Sequence, residues 1–197
     1  MNTAKETQSG FALLITLILV SVVLSVGLTI LDLSIKQVRL STNAKESEVA
    51  FHATNAGMEC ARYTRSVGAT AMETGQSVDV NCFGSPVFSA VPSTNPDPVP
   101  SVSGDGEAFL YEYDITWGPA GTERCSRVST LVASSTIAGS GMSINNMEDL
   151  IVGYPEGNTK ACEEGARCTV ISVRGYNRAC ANVGNYGTVE REVLLQF

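Results

Sequence analysis

Between Glu6 and Asp32 the chain carries no charged side chain. A Ser9-Gly10 step leads into Phe11, Ala12, Leu13, Leu14 and Ile15, and the run stays apolar to Leu31 apart from Thr16, Ser21, Ser25, Gly27 and Thr29. As a helix rising about 1.5 Å per residue it reaches roughly 30 Å, the thickness of a bilayer's hydrocarbon core, so residues 11–31 can span a membrane. A cleavable secretory signal has an apolar core of about 7 to 15 residues followed by a small-x-small cleavage site. This run is too long for that. The plausible processing point lies in front of it, at the Gly10-Phe11 bond, where cutting would discard residues 1–10 and leave the apolar helix on the product.

A Gly-Phe step, an uninterrupted apolar helix and then an amphipathic one, spanning residues 9–63, together resemble the class III signal of type IV pilins and type II secretion pseudopilins. The resemblance implies that a prepilin peptidase cuts after Gly10 and N-methylates Phe11. It also implies a pilin-like α+β fold, with a long N-terminal helix packed on a C-terminal antiparallel sheet. The partners it implies are other pilin subunits in a helical filament, the pilus assembly platform, and the inner membrane before assembly. The chain would then be a single-pass membrane protein with an extracytoplasmic head, and a cell-surface filament component after assembly. One family residue is missing: most pilins have Glu at the fifth position after the cut, and Ile15 stands there. The family role of that carboxylate, pairing with a neighbour's N-terminal amine, does not carry over. Minor pilins and the tip pseudopilin share this lack.

The domain organisation expected is a leader over 1–10, a helix over 11–64 with its transmembrane half at 11–31, and a globular head over 65–197. With 197 residues, 44% of them hydrophobic, one modest core is affordable besides the anchor. The net charge of -7 argues against nucleic acid as a general ligand. All six cysteines, Cys60, Cys82, Cys125, Cys162, Cys168 and Cys180, lie beyond the apolar run. An even count on one side of an anchor reads as three disulfides in an oxidising compartment. There is no Cys-x-x-Cys pair and His52 is the single histidine, so neither a metal nor another cofactor is expected.

No proline precedes Pro86, and the composition favours helix to about Tyr63, so the anchor is expected to continue as one helix of roughly 53 residues, with its second half projecting and covered. Val49, Ala53, Ala56, Gly57 and Cys60 form an apolar stripe there, expected to seat a sheet. Gly27 costs the helix about 1 kcal/mol against Ala and suits either close helix packing or local melting.

Residues 66–88 lose the helical period, with Gly68, Gly75 and Gly84 as punctuation and a strand candidate at 78–82. This segment should wrap back over the helix. Pro86, Pro92, Pro96, Pro98 and Pro100 mark an exposed loop through Ser103. Gly104-Asp105-Gly106-Glu107 reads as a turn, because it lacks the oxygen-ligand spacing of a calcium loop.

Phe109, Tyr111, Tyr113, Ile115 and Trp117 alternate with Leu110, Glu112, Asp114 and Thr116, the pattern of an antiparallel strand with one wet face. A turn at 118–121 and a strand at 125–133 complete a hairpin. Residues 134–165 are Ser-, Gly- and Asn-rich around Leu150, Ile151 and Val152, which fit a strand or a helix end equally. Strands at 169–177 and 188–197 form a terminal pair, in which Val189, Val193, Leu195 and Phe197 share a face that Arg191 interrupts. Its Arg174-Gly175-Tyr176-Asn177 and Val189-Glu190-Arg191 tracts resemble the closing hairpin of small pilin-like proteins.

Six cysteines allow 15 pairings. Cys60 with Cys82 ties the helix end to the chain's return, and Cys162 with Cys168 closes a small loop before a strand. If the Cys125 strand runs antiparallel to the 169–177 strand, Cys125 meets Cys180. No nucleophile has a base at hand, no Gly-rich loop opens a helix, and no carboxylate pair stands out, so an enzyme is not expected. Two function classes remain: a structural subunit of a type IV pilus or pseudopilus, either minor or a divergent major pilin, and a non-polymerising membrane-anchored binding domain.

Overall fold

The computed structural model describes residues 7–82, 87–93, 99 and 102–197. Helix α1, Thr7–Val67, runs through two compact units, Met1–Lys45 and Glu46–Phe197. In the first unit the described side chains from Gly10 to Lys45 are all exposed. In the second, α1 is the first element of a globular head. The head therefore takes in residues 46–64 as well as 65–197, because the helix buries Ala50, Ala53, Thr54, Gly57, Met58, Cys60 and Ala61.

The helix ends at Gly68, whose N–H still donates to Thr64, and Gly68 in turn accepts from Met72 at 2.9 Å as a second helix, α2 (Ala69–Glu73), begins. Periodicity over 66–88 gave no sign of α2, which is a single short turn of helix. It is held from outside: Glu73 accepts from Arg65 at 2.6 Å and from Arg167 at 3.1 Å, and Met72 is buried. Strands β1 (Val78–Val80) and β2 (Phe88–Ala90) then pair antiparallel. The disulfide from Cys60 reaches Cys82 just past β1.

The main sheet has the order β4-β5-β8-β9, all antiparallel, from β4 (Gly106–Trp117), β5 (Arg124–Ser135), β8 (Arg167–Tyr176) and β9 (Glu190–Gln196). Cys125 sits opposite Tyr176 in the β5–β8 register, and its disulfide partner is Cys180. One face of the sheet carries Phe109, Tyr111, Tyr113, Ile115, Val128, Val132, Ile171 and Val173, packed with Met58, Ala61, Met72 and Val80 of the covering elements.

The expectation of a single wet face needs correction. At the end where β4 begins, Ala108, Leu110, Leu131, Ala133 and Val170 are buried on the opposite side. They are covered by Val99 and by an excursion over 136–166, containing β6 (Met142–Ile144), α3 (Met147–Leu150) and β7 (Lys160–Cys162). With β3 (Val102–Gly104) these strands form a small sheet of order β3-β6-β7. Leu150 thus ends a helix, and Ile151 is fully buried beyond it. Only the other end of that face stays wet, where Arg127 forks onto Asp114 at 2.9 and 3.0 Å.

The segment read as an exposed loop is also partly structured. Pro92 bridges to Tyr111, Ser93 donates its N–H to Leu110, and buried Val99 donates to Ala108, so these three residues lie along the β4 edge. Gly84, Pro86, Pro96, Pro98 and Pro100 lie outside the described residues.

Two measurements probe this core. A Cβ at Gly175 would run into the backbone of Thr54 and Ala50, so Gly175→Ala is expected to destabilise the head by about 2 to 4 kcal/mol in urea unfolding. Burial pushes the Tyr113 phenol up to about 12, against a smaller downward pull from the Thr64 and Thr130 hydroxyls. An unfolded chain would release that proton near 10, so this contribution to stability is intact below pH 10 and is lost as pH rises towards 12. The loss is about 3 kcal/mol, read from unfolding curves of the native chain against Tyr113→Phe.

Candidate functional site

The two sequence-predicted processing residues both lie within α1. Gly10 is helical, with open space where a side chain would begin, and Phe11 is 68% exposed. From Phe11 onward Leu13, Leu14, Ile15, Leu17, Ile18, Leu19 and Val20 are all uncovered, and the helix is long and apolar enough to cross a membrane. Its hydroxyls bond inward: Thr16 donates to the Leu13 carbonyl at 2.8 Å, Ser21 to Ile18 at 2.8 Å and Thr29 to Val26 at 2.7 Å. A hydroxyl satisfied by its own helix costs little in hydrocarbon, so these residues do not spoil the segment for a lipid environment. Ile15 is 41% exposed and apolar, and no carboxylate lies within 11–31.

The second half of the site is the seat by which the head holds α1. The expected stripe is displaced by about one residue: Val49 and Ala56 are only half-buried, while Ala50, Thr54, Ala61, Thr64 and Arg65 are buried alongside Ala53, Gly57 and Cys60. Pattern alone could not find Thr54 and Arg65, whose hydrogen-bonding groups are satisfied by partners distant along the chain. The Thr54 hydroxyl lies 2.9 Å from the carbonyls of both Ala50 and Arg191, and Arg65 Nε donates to Thr169 at 3.0 Å. Ser126 donates to the Ala53 carbonyl at 2.5 Å and accepts from Trp117 Nε1 at 2.6 Å.

The two closing-hairpin tracts meet in the same place. Gly175 leaves room for Thr54, and the Asn177 amide donates to Glu46 at 2.6 Å while its oxygen accepts from the Val189 N–H at 2.9 Å. Arg191, which breaks the apolar pattern of β9, donates through Nε and Nη2 to Ser47 at 2.8 and 2.6 Å. Burial, and then its bond with Glu190, raise the pKa of Tyr176.

The remaining candidates are placed as follows. His52 is exposed on α1, 3.7 Å from Glu48. Cys162 is bonded to Cys168. Among the described residues, Asp114, Cys125 and Cys180 bring three ligand-type atoms together, but both sulfurs belong to a disulfide and offer no thiolate. These features define an α+β protein with a membrane-length N-terminal apolar helix and a disulfide-bonded antiparallel head. Compared with protein-family models, curated proteins and solved structures, the chain matches none.

Asn177→Ala removes the donor to Glu46 and the acceptor for Val189. It is expected to cost about 1 to 3 kcal/mol in urea unfolding and to speed hydrogen exchange around residues 46–54 and 187–191, leaving 102–135 unchanged.

Proposed function

We propose that the chain is a structural subunit of a type IV pilus or pseudopilus, of the minor kind. In this reading prepilin peptidase cuts between Gly10 and Phe11, Phe11 is N-methylated, and the subunit waits in the inner membrane with an extracytoplasmic head. An assembly platform then moves it into a filament with other pilin subunits. The observation that carries the proposal is α1 itself: uncovered and apolar over 11–31, yet clasped by the sheet from Glu46 onward. Such a segment is equally soluble in lipid and among copies of itself, so moving it between the two exchanges one apolar setting for another. A head-to-tail interface of this type propagates rather than closes.

Ile15 supports the minor assignment. A buried ammonium is costly unless paired, and this chain presents an amine after cutting but no carboxylate near it. Thr16 has committed its proton to Leu13 and offers only neutral lone pairs. A shaft of this subunit alone would leave every amine without an ionic partner, whereas one copy at a tip or among carboxylate-bearing subunits would not.

Mass spectrometry of sheared filaments and of the membrane fraction tests the proposal. Expected are an N-terminal methylated Phe11, a substoichiometric amount in the filaments, and full-length protein confined to the membrane for a Gly10→Leu variant. An uncut N-terminus beside active prepilin peptidase would instead mark a non-polymerising membrane-anchored domain, and near-unit stoichiometry along the shaft would refute the minor role.

A further inference from the structure

The two edges of the main sheet differ. Along β4, the N–H groups of Ser93 and Val99 bond the carbonyls of Leu110 and Ala108, and Pro92 bridges to Tyr111. Along the outer side of β9 no backbone bond of this kind is found among the described residues. Thr169 and Phe197 exchange a reciprocal pair of bonds at 2.8 and 3.1 Å, and such pairs recur at every second residue of an antiparallel ladder. Arg191, Val193 and Leu195 therefore bond to β8. Glu190, Glu192, Leu194 and Gln196 turn their N–H and C=O groups away from the sheet, a row with the spacing of a further strand.

This edge is unguarded: β9 contains no proline or lysine, and no bulge breaks its register against β8. Its two faces are chemically distinct. On the side of α1, Val193 and Leu195 are half-buried against the core, and Phe197 beyond them is 58% exposed. On the other side Glu190 and Glu192 are exposed, while the strand's cation, Arg191, faces α1 and is held by Ser47.

A second copy of this chain does not fit the edge. Ser47 of α1 meets Arg191, and Arg65 of α1 meets Thr169, the partner of Phe197, so helix and strand run in the same direction. Two β9 strands paired antiparallel would direct their helices oppositely, whereas chains anchored in one membrane carry them alike. Head-to-tail pairing of copies would need an open β4, and that edge is occupied at Ala108 and Leu110.

We infer that β9 accepts, antiparallel, an extended strand of a different protein, with Lys or Arg opposite Glu190 and Glu192 and aliphatic residues beside Val193 and Leu195. Antiparallel is the direction of every pair in this sheet. The added ladder supplies affinity, and the alternation of side chains supplies specificity. The two carboxylates select a basic strand over an acidic one. Naming that protein as a neighbouring subunit of another kind rests on the pilus proposal, whereas the open edge does not.

The test titrates the isotope-labelled full chain, in zwitterionic detergent micelles, with short end-blocked peptides alternating valine and lysine. In the first peptide the valine nitrogens are methylated, which stops it stacking on itself and leaves free the edge that sets lysine opposite Glu190 and Glu192. Expected are shift changes and slowed hydrogen exchange at the amides of Glu190, Glu192, Leu194 and Gln196. Methylating the lysine nitrogens instead leaves only the edge that would set lysine against Val193 and Leu195, and affinity should fall at least about tenfold. Leu194→Pro removes an outward N–H and no bond to β8, so binding is lost while urea unfolding stays close to that of the native chain. Leu194→Thr keeps that N–H and still binds. Slow exchange of the Leu194 and Gln196 amides in the free chain, no shifts at millimolar valine-methylated peptide, equal affinity for the two peptides, or undiminished binding by Leu194→Pro would each overturn the inference, and none of these outcomes bears on cleavage at Gly10.

Discussion

The head depends on how closely α1 lies against the sheet. Two residues without side chains make that approach possible. On the helix, a Cβ at Gly57 would come within 2.7 Å of Ser126 and Val173, and on β8 the backbone of Gly175 faces Thr54 directly. With the surfaces this near, side chains from one layer reach main-chain carbonyls of the other: Thr54 the carbonyl of Arg191, and Ser126 that of Ala53. Such bonds between a side chain and a buried carbonyl each contribute only about 1 kcal/mol net, but leaving one unmade costs more. The seat is thus specific in register as well as apolar. A helix shifted by one residue would keep much of its apolar contact and lose these bonds.

Around that contact the remaining elements act as covers for a sheet that is too apolar to be left open. Helix α2 and the β1–β2 pair fill the flank of α1 on one face, secured by the Cys60–Cys82 bridge and by Glu73 between two arginines. The excursion over 136–166 covers half of the other face, contributing Met142, Ile144, Met147 and Ile151 to a second core. Where no cover reaches, the sheet turns polar, with Arg127 forked onto Asp114.

The N-terminal unit follows a different rule. Its described apolar residues are exposed, and the Thr16, Ser21 and Thr29 hydroxyls are satisfied by carbonyls of the same helix. Both facts fit a segment whose surroundings are supplied by lipid or by neighbouring helices. The pilus-subunit proposal rests on that fit together with the residues flanking Gly10.

Local periodicity and composition already encode several elements. The charge-free run of 11–31 dictates a membrane-length helix, and the alternation at 109–117 dictates a strand. The terminal pair at 169–177 and 188–197 is legible for the same reason. Each depends on neighbours along the chain, where the spacing of apolar residues sets the buried side. Whatever depends on a second layer emerges only in the folded chain. Helix α2 is one turn long and is held by Arg65 and Arg167 on Glu73 and by the burial of Met72, and nothing in its own five residues announces those partners. Leu110 and Ala108 look like wet-face positions until the excursion arrives to cover them. Thr54, Thr64 and Arg65 read as polar, yet they are buried, Thr54 and Arg65 because their partners lie 137 and 104 residues away along the chain. A polar group's burial is set by whether a distant atom satisfies its hydrogen bond, and only the folded chain brings that atom within reach.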